Sequence, residues 1–375
     1  MRIAIDIRKY HDFGIGTYVR NLIQHLARID RKTEYVLLCR PQDREKVGLP
    51  GANFRLVAEA AGPYSVAEQV RIPMALRREH VDLFHSPHYV LPPLIHCRSV
   101  VTIHDCIHLM FPQYLPGRLA YVYAKAQMWT AAHRSDRVLT VSETSKQDIL
   151  RRFRIPADKV TVVYNAIDER LTDPPAPEDF ARVRVRYQLK DPFALYVGNI
   201  KPHKNLERLI EAFRELRREP EFESLKLVII GDEISKYQGL RRAVHRHKLH
   251  KHVRFLGFVG PETLAVLYRL ARVFVFPSLY EGFGLPPLEA MYFGTPVVTS
   301  NVSSLPEVVG DAAILVDPYS PASIAEGMRR ALTDEELRAS LRERGMARAR
   351  EFSWERSVEQ IHGVYTEVME RAEPL

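Results

Sequence analysis

The feature that most constrains this chain is a rhythm. Short β-branched apolar runs alternate with amphipathic stretches from one end to the other. In the first half the runs fall at 2–7, 34–39, 54–57, 81–85, 99–104, 137–142 and 160–164. In the second half they fall at 193–198, 225–231, 253–257, 273–276, 296–300 and 313–316. Helical periodicity lies between many of them, at 17–29, 66–79, 143–152, 204–218, 321–332 and 335–350. Strand, helix and strand in succession imply parallel strands joined by crossover helices. The rhythm breaks at 172–179, TDPPAPED, whose prolines and acids suit neither a strand nor a helix interior. The expectation is therefore an α/β chain of two facing Rossmann-like domains, 1–172 and 180–353, each a doubly wound parallel sheet. A last helical pattern at 354–371 has no strand left to serve and is expected to cross back onto the first domain. A length of 375 residues suits two such domains better than one core.

Composition removes several classes of protein. Hydrophobic residues make up 46% and charged residues 27%, the balance of an ordinary globular chain. No apolar run approaches the roughly 20 residues that span a bilayer, and MRIAIDIRKY does not read as a secretory signal. Cys39, Cys97 and Cys106 stand singly, which is neither a disulfide framework nor a zinc pattern, so a reducing cytoplasm is expected. The net charge of +8 calls for an anionic partner. Basic clusters at 77–80, 151–154 and 241–252 carry no aromatics interleaved for base stacking, which argues against nucleic acid. Each reads most simply as a solvated helix face. Peripheral contact with the anionic inner face of a membrane is the extension of that reading.

Doubly wound sheets bind ligands beyond the carboxyl ends of their strands, so functional residues are sought there. The most informative stretch is 277–296, PSLYEGFGLPPLEAMYFGTP, in which seven residues separate Glu281 from Glu289. Gly282 and Gly284 let backbone approach a ligand closely. Pro286 and Pro287 suit the first turn of a helix running to about Tyr292. A glycine loop feeding a helix N-terminus can hold a diphosphate. Two lone glutamates would read as surface residues; joined to the glycines and the proline helix start, they read as a binding site. A second element, GNIKPHKN, follows the apolar run 193–198 and offers Lys201 and Lys204. A third, VTIHDCIH, places His104 at a strand end. Asp105 and His108 could form a metal triad with His104, but no D-x-D motif occurs, and Asp105 reads better as the cap of a turn. A fourth, Gly14-Ile15-Gly16-Thr17, precedes a helix and fails as a dinucleotide fingerprint, because Val19 stands where a third glycine is required.

The 277–296 stretch resembles the signature of the group 1 family of retaining glycosyltransferases, which have the GT-B fold. The similarity extends through YVGNIKPHKNL, LVIIGD and VTIHD over nearly the whole chain. It implies transfer of a hexose from a nucleotide diphosphate sugar, without a metal or other cofactor. The resemblance gives Glu281 and His104 to the donor sugar, Glu289 to the ribose, and Lys204 to the departing diphosphate. Gly282, Phe283, Gly284 and Leu285 would meet the sugar and phosphates through their backbone, with Gly14 and Gly16 close by. The family usually carries an arginine where this chain has Asn199, so half of its basic pair is missing, and Lys201 is the candidate to compensate. Glu68-Gln69 resembles mannosyltransferase members, which favours mannose from GDP-mannose over UDP-glucose or a related hexose donor. A glycan or lipid-linked acceptor, in cell-surface polysaccharide or glycoconjugate synthesis, is implied. The rivals are an epimerase or hydrolase, for which no acid–base pair is found, and a catalytically silent nucleotide-sugar-binding protein, which Asn199 alone favours. Ser304-x-x-Glu307 reads as a capping box, His85 and His88 as either packing or acceptor-side residues, and Tyr164-Asn165 as shaping the domain connection.

Overall fold

The computed structural model describes residues 1–231 and 237–371; Asp232, which closes the LVIIGD run, lies outside them. The chain divides into two compact units, Met1–Asn165 with Ser353–Leu375, and Ala166–Phe352.

The first unit is built on seven strands: β1 (Arg2–Asp6), β2 (Glu34–Cys39), β3 (Phe54–Ala58), β4 (Leu83–Ser86), β5 (Arg98–Thr102), β6 (Arg137–Thr140) and β7 (Val160–Val162). They pair in the order β3-β2-β1-β4-β5-β6-β7, and every ladder is parallel. The second unit has β8 (Phe193–Val197), β9 (Lys226–Ile230), β10 (Val253–Gly257), β11 (Val273–Phe276), β12 (Val297–Ser300) and β13 (Ile314–Val316). Their order is β10-β9-β8-β11-β12-β13, again parallel throughout. Helices cover both faces of such sheets, so central strands must be apolar on both sides. FALYV in β8 and VFVF in β11 are accordingly buried at every residue.

In each sheet the winding direction reverses once, between β1 and β4 and between β8 and β11. Connections leave such a point in opposite directions, so the carboxyl ends of these strand pairs are open to a ligand.

Every expected strand is present. The helices differ more. The first helix begins at Phe13, so Gly14, Gly16 and Thr17 form its opening turn and not a loop before it. The 172–179 stretch lies within the second unit, where Pro177 starts the helix Pro177–Arg186 and the Asp179 carboxylate accepts from the Ala176 N–H at 2.9 Å. Proline and acids are unfit for a helix interior but fit its first turn, where proline's missing N–H is not needed and negative charge meets the dipole. The helix Arg118–Arg134 is absent from the expected set, because its apolar residues lie on both its buried and exposed sides and blur the period.

The last helix, Trp354–Glu370, belongs to the first unit. Ser357 donates to the Tyr164 carbonyl at 2.6 Å, and His362 meets Asp30 at 3.0 Å. The Tyr365 hydroxyl lies 2.6 Å from His85 Nδ1, whose Nε2 lies 2.9 Å from Thr102 Oγ1, itself 3.0 Å from the Tyr18 hydroxyl. This wholly buried chain ties the last helix through two strands to the first helix. Burial lowers the His85 pKa to about 3, so its ring is neutral and needs both hydroxyl partners. His85 is thus a packing residue. Tyr365→Phe should leave Nδ1 buried without a partner and cost about 1–3 kcal/mol, read as a lower denaturant midpoint of the nucleotide-free protein. An unchanged midpoint would mean that water replaces the hydroxyl.

Candidate functional site

The strongest concentration of sequence-selected residues lies at the reversal of the second sheet. The loop after β8 and the loop after β11 are joined there at three levels. Asn205, in a left-handed conformation with φ of 61°, donates from its buried amide to the carbonyls of Pro277 at 2.9 Å and Pro318 at 2.6 Å. The Leu279 N–H donates to the His203 carbonyl at 2.7 Å. Lys204 Nζ then meets both carboxylate oxygens of Glu281, at 2.6 and 2.8 Å. The lysine and glutamate side chains are only 16% and 13% accessible, so the pair is sheltered yet reachable. Lys204 Nζ also sits 5.3 Å from the centre of the Phe276 ring.

Two serines fix the backbone under Glu281. Ser303 Oγ donates to the Glu281 carbonyl at 2.7 Å and accepts from its N–H at 3.1 Å. Ser304 Oγ lies 2.9 Å from the Glu281 carbonyl and 2.7 Å from that of Phe283. Ser304 therefore does not form the capping box that its spacing suggests; no side-chain cap bond is made at that helix. The hydroxyl bonds instead to the loop 281–283, which is nearer in space than in sequence.

Gly284 has φ of 116°, and a Cβ there would come within 2.8 Å of Leu305. The conformation calls for glycine, and any side chain there would also have to displace Leu305. The helix Leu285–Tyr292 follows at once, with Pro286 and Pro287 in its first turn. These prolines carry no N–H, so backbone donors for an anion must come from Gly282, Phe283, Gly284 and Leu285. One turn further, Glu289 accepts from the Tyr268 hydroxyl at 2.7 Å. Burial raises the Glu289 pKa to about 7; the Tyr268 bond opposes that rise and the Asp168 charge adds to it. Asn199 is half-buried and Lys201 exposed on the loop after β8, and Lys201 makes no ion pair among the described residues.

In the first unit, His104 follows β5. Its Nε2 lies 3.0 Å from the Pro87 carbonyl, which can only accept, so Nε2 carries the proton. Burial lowers the His104 pKa against the raising effects of that carbonyl and of Asp105, leaving a neutral ring with Nδ1 as acceptor. Asp105 accepts from the Ile107 N–H at 2.9 Å and caps the turn, while His108 Nδ1 lies 2.9 Å from the Tyr89 hydroxyl. Among the described residues no three His, Cys, Asp or Glu side chains gather as a metal cage. Gly16 is required because a Cβ would stand 2.5 Å from the Tyr10 carbonyl, whereas Gly14 faces open space.

The reversal of this first sheet carries a charge cluster that the sequence reading missed. Arg8, fully buried, pairs with Asp6 at 2.7 Å and Glu68 at 2.9 Å and donates to the Ala61 carbonyl at 2.7 Å. His88 Nδ1 accepts from the Val90 N–H, so its Nε2 donates to Asp6 at 3.1 Å. Burial would raise the Asp6 pKa, but Arg8 and His88 hold it far below the usual carboxylate range. In sequence Asp6 and Arg8 show only as a D-x-R spacing, too common to be read, while Glu68 and His88 stand out for other reasons.

Residues 177–348 match the family described as Glycosyl transferases group 1, and residues 14–171 match Glycosyltransferase Family 4. The O-antigen chain mannosyltransferase B of Escherichia coli is 34% identical over 379 residues, spanning 96% of this chain and 98% of that protein. The chain belongs to the group 1 glycosyltransferases. Its fold is GT-B. Sucrose-phosphate synthase from Thermosynechococcus elongatus superposes with a TM-score of 0.81 at 22% identity, over 99% of this chain and all of that one. Anabaena HepE in complex with UDP and glucose gives 0.79 at 18%, over 98% and 100%.

The raised pKa of Glu289 makes a prediction about stability. Below about 4.5 the proton is held in both folded and unfolded states; between 4.5 and 7 only the folded state keeps it. Stability therefore falls as pH rises through that window, and the full penalty remains above it. Glu289→Gln keeps an acceptor for Tyr268 without the charge. Relative to the unchanged protein it should gain on the order of 1–3 kcal/mol between pH 5 and pH 8. Unfolding midpoints of both proteins at both pH values measure this, and a pH-independent difference would refute it.

Proposed function

We propose that this glycosyltransferase moves mannose from GDP-mannose, with retention and without a metal, onto a glycan or lipid-linked acceptor of a cell-surface polysaccharide. The observation that carries the reading is the Lys204–Glu281 pair at the sheet reversal, beside the helix that bears Glu289. The mannosyltransferase relative supports the choice of sugar and the place in polysaccharide synthesis.

In this reading the cation and carboxylate hold each other until a donor arrives. The diphosphate then takes Lys204, and the released Glu281 accepts from sugar hydroxyls. Backbone N–H groups of Gly282, Phe283, Gly284 and Leu285 add donors to the diphosphate. Lys201 is a second, exposed cation, and Asn199 adds no charge. As the bond from the anomeric carbon to the phosphate oxygen breaks, negative charge grows on the leaving nucleoside diphosphate, where a fixed cation is worth most. The acceptor oxygen attacks the same face, and its proton passes to a donor phosphate oxygen. The lone pair of His104 Nδ1 accepts from a sugar hydroxyl. Glu289 accepts from the ribose, and those donated bonds offset the cost of its buried charge. The protein would work in the cytoplasm at the inner face of a membrane.

Calorimetry and kinetics test this together. GDP and GDP-mannose should bind more tightly than UDP and UDP-glucose, and a chelator should not change turnover. The anomeric configuration of the first product, read by NMR, should match that of the donor. Glu281→Gln should cut turnover about 100-fold or more, as a lost transition-state contact does. The same change should not weaken the bare nucleotide, because Lys204 is then freed for it. Glu289→Gln should weaken nucleotide and donor alike. Preference for UDP-glucose would move the donor assignment, and binding without turnover would leave a silent nucleotide-sugar-binding protein.

A further inference from the structure

The first unit exposes apolar side chains that its fold does not use. On the helix Glu68–Arg78 the residues Ile72, Ala75 and Leu76 face the core, yet Val70 and Met74, one turn apart, are 60% and 64% exposed. Val66, in the turn just before, is 78% exposed. On the helix Arg118–Arg134 the core face is Ala124, Met128 and Ala131, while Leu119, Val122 and Trp129 are 87%, 60% and 52% exposed. The two helices adjoin: the Tyr123 hydroxyl donates to Glu68 at 3.1 Å and accepts from Gln69 at 3.2 Å.

The charges on these faces have one sign. No Asp or Glu occurs from 106 to 135, and Glu68, the sole acid of the helix Glu68–Arg78, is buried against Arg8. Arg77, Arg118, Lys125 and Arg134 are exposed and meet no carboxylate among the described residues. Leucine, valine, methionine and tryptophan set among lysine and arginine, with no acid, is the chemistry of a helix lying in a bilayer interface. Neither helix can cross: no described helix is long and apolar enough. The cluster at 241–252 makes the contrast, because Val244 and Leu249 within it are buried and its exposed residues are polar.

We propose that the exposed faces of the helices Glu68–Arg78 and Arg118–Arg134 dock the protein on an anionic lipid bilayer. Apolar side chains enter the headgroup boundary and the four unpaired cations meet lipid phosphates. If the chain uses a lipid-linked acceptor, which rests on the function proposed above, docking here delivers that acceptor to the first unit.

The test needs no sugar nucleotide, so it stands or falls apart from that function. The full-length protein is sedimented with vesicles of phosphatidylcholine alone and of phosphatidylcholine with phosphatidylglycerol. It should bind the anionic vesicles about 10-fold or more tightly, since each well-placed cation contributes about fivefold. L119S with W129S should lose about 10-fold or more of that binding, and so should R118E with K125E. R241E with R246E, on the contrasting cluster, should stay within about threefold, all variants keeping the parent melting temperature. Equal binding to both vesicles, no binding, or equal loss in the contrasting variant would each overturn the proposal. So would a concentration-dependent dimer, seen without vesicles and abolished by L119S with W129S, because the face would then join two copies.

Discussion

With every crossover right-handed, helices can cover both faces of a parallel sheet only where the winding reverses, and the placement of polar chemistry depends on that constraint. Away from the reversal, strand ends are covered by helices that pack on both faces, and apolar residues fill them. At the reversal the flanking helices diverge, leaving backbone and side chains that water or a ligand must satisfy. Asp6, Arg8 and His88 stand at one such point, and Lys204 and Glu281 at the other.

The two units treat charge there in opposite ways. In the first, Arg8 has no exposed surface, and its charge is divided among Asp6, Glu68 and a carbonyl. A buried ion pair is tolerable only when its remaining donors and acceptors are bonded, and the Tyr123 and His88 bonds meet that condition. This network can hold a shape but cannot exchange partners cheaply. In the second unit, Lys204 and Glu281 keep a little exposure, so a ligand can replace either partner without leaving a charge stranded. Glu289 is different again. It is desolvated with a tyrosine hydroxyl and no cation, so its charge is costly until another donor reaches it.

Rigidity comes from bonds that carry no charge. Ser303 and Ser304 hold the loop bearing Glu281, and Asn205 holds the turn bearing Lys204. Neutral donors do this without altering the electrostatics they support. In the first unit, the His85–Tyr365 bond fixes the last helix in the same manner, with a ring kept neutral by burial. Leu119 and Trp129, by contrast, are held by no such bond among the described residues and face solvent.

The sequence by itself determined the strands, the two-unit α/β architecture and the helix that follows the glycine loop. Those properties are local: β-branched runs, glycine at positive φ and proline in a first helical turn act within a few residues. It also marked Glu281, Glu289, Lys204 and His104, since residues beyond strand ends can be found once the strands are known. Tertiary structure alone decided which of them meet. Seventy-seven positions separate Lys204 from Glu281, and only the neighbouring of β8 and β11 closes that gap. It decided that Ser304 bonds a loop where its spacing suggests a helix cap, and that Gly16 answers to the Tyr10 carbonyl while Gly14 answers to nothing. It also raised the Glu289 pKa, because desolvation depends on everything packed around a carboxylate, most of it distant along the chain.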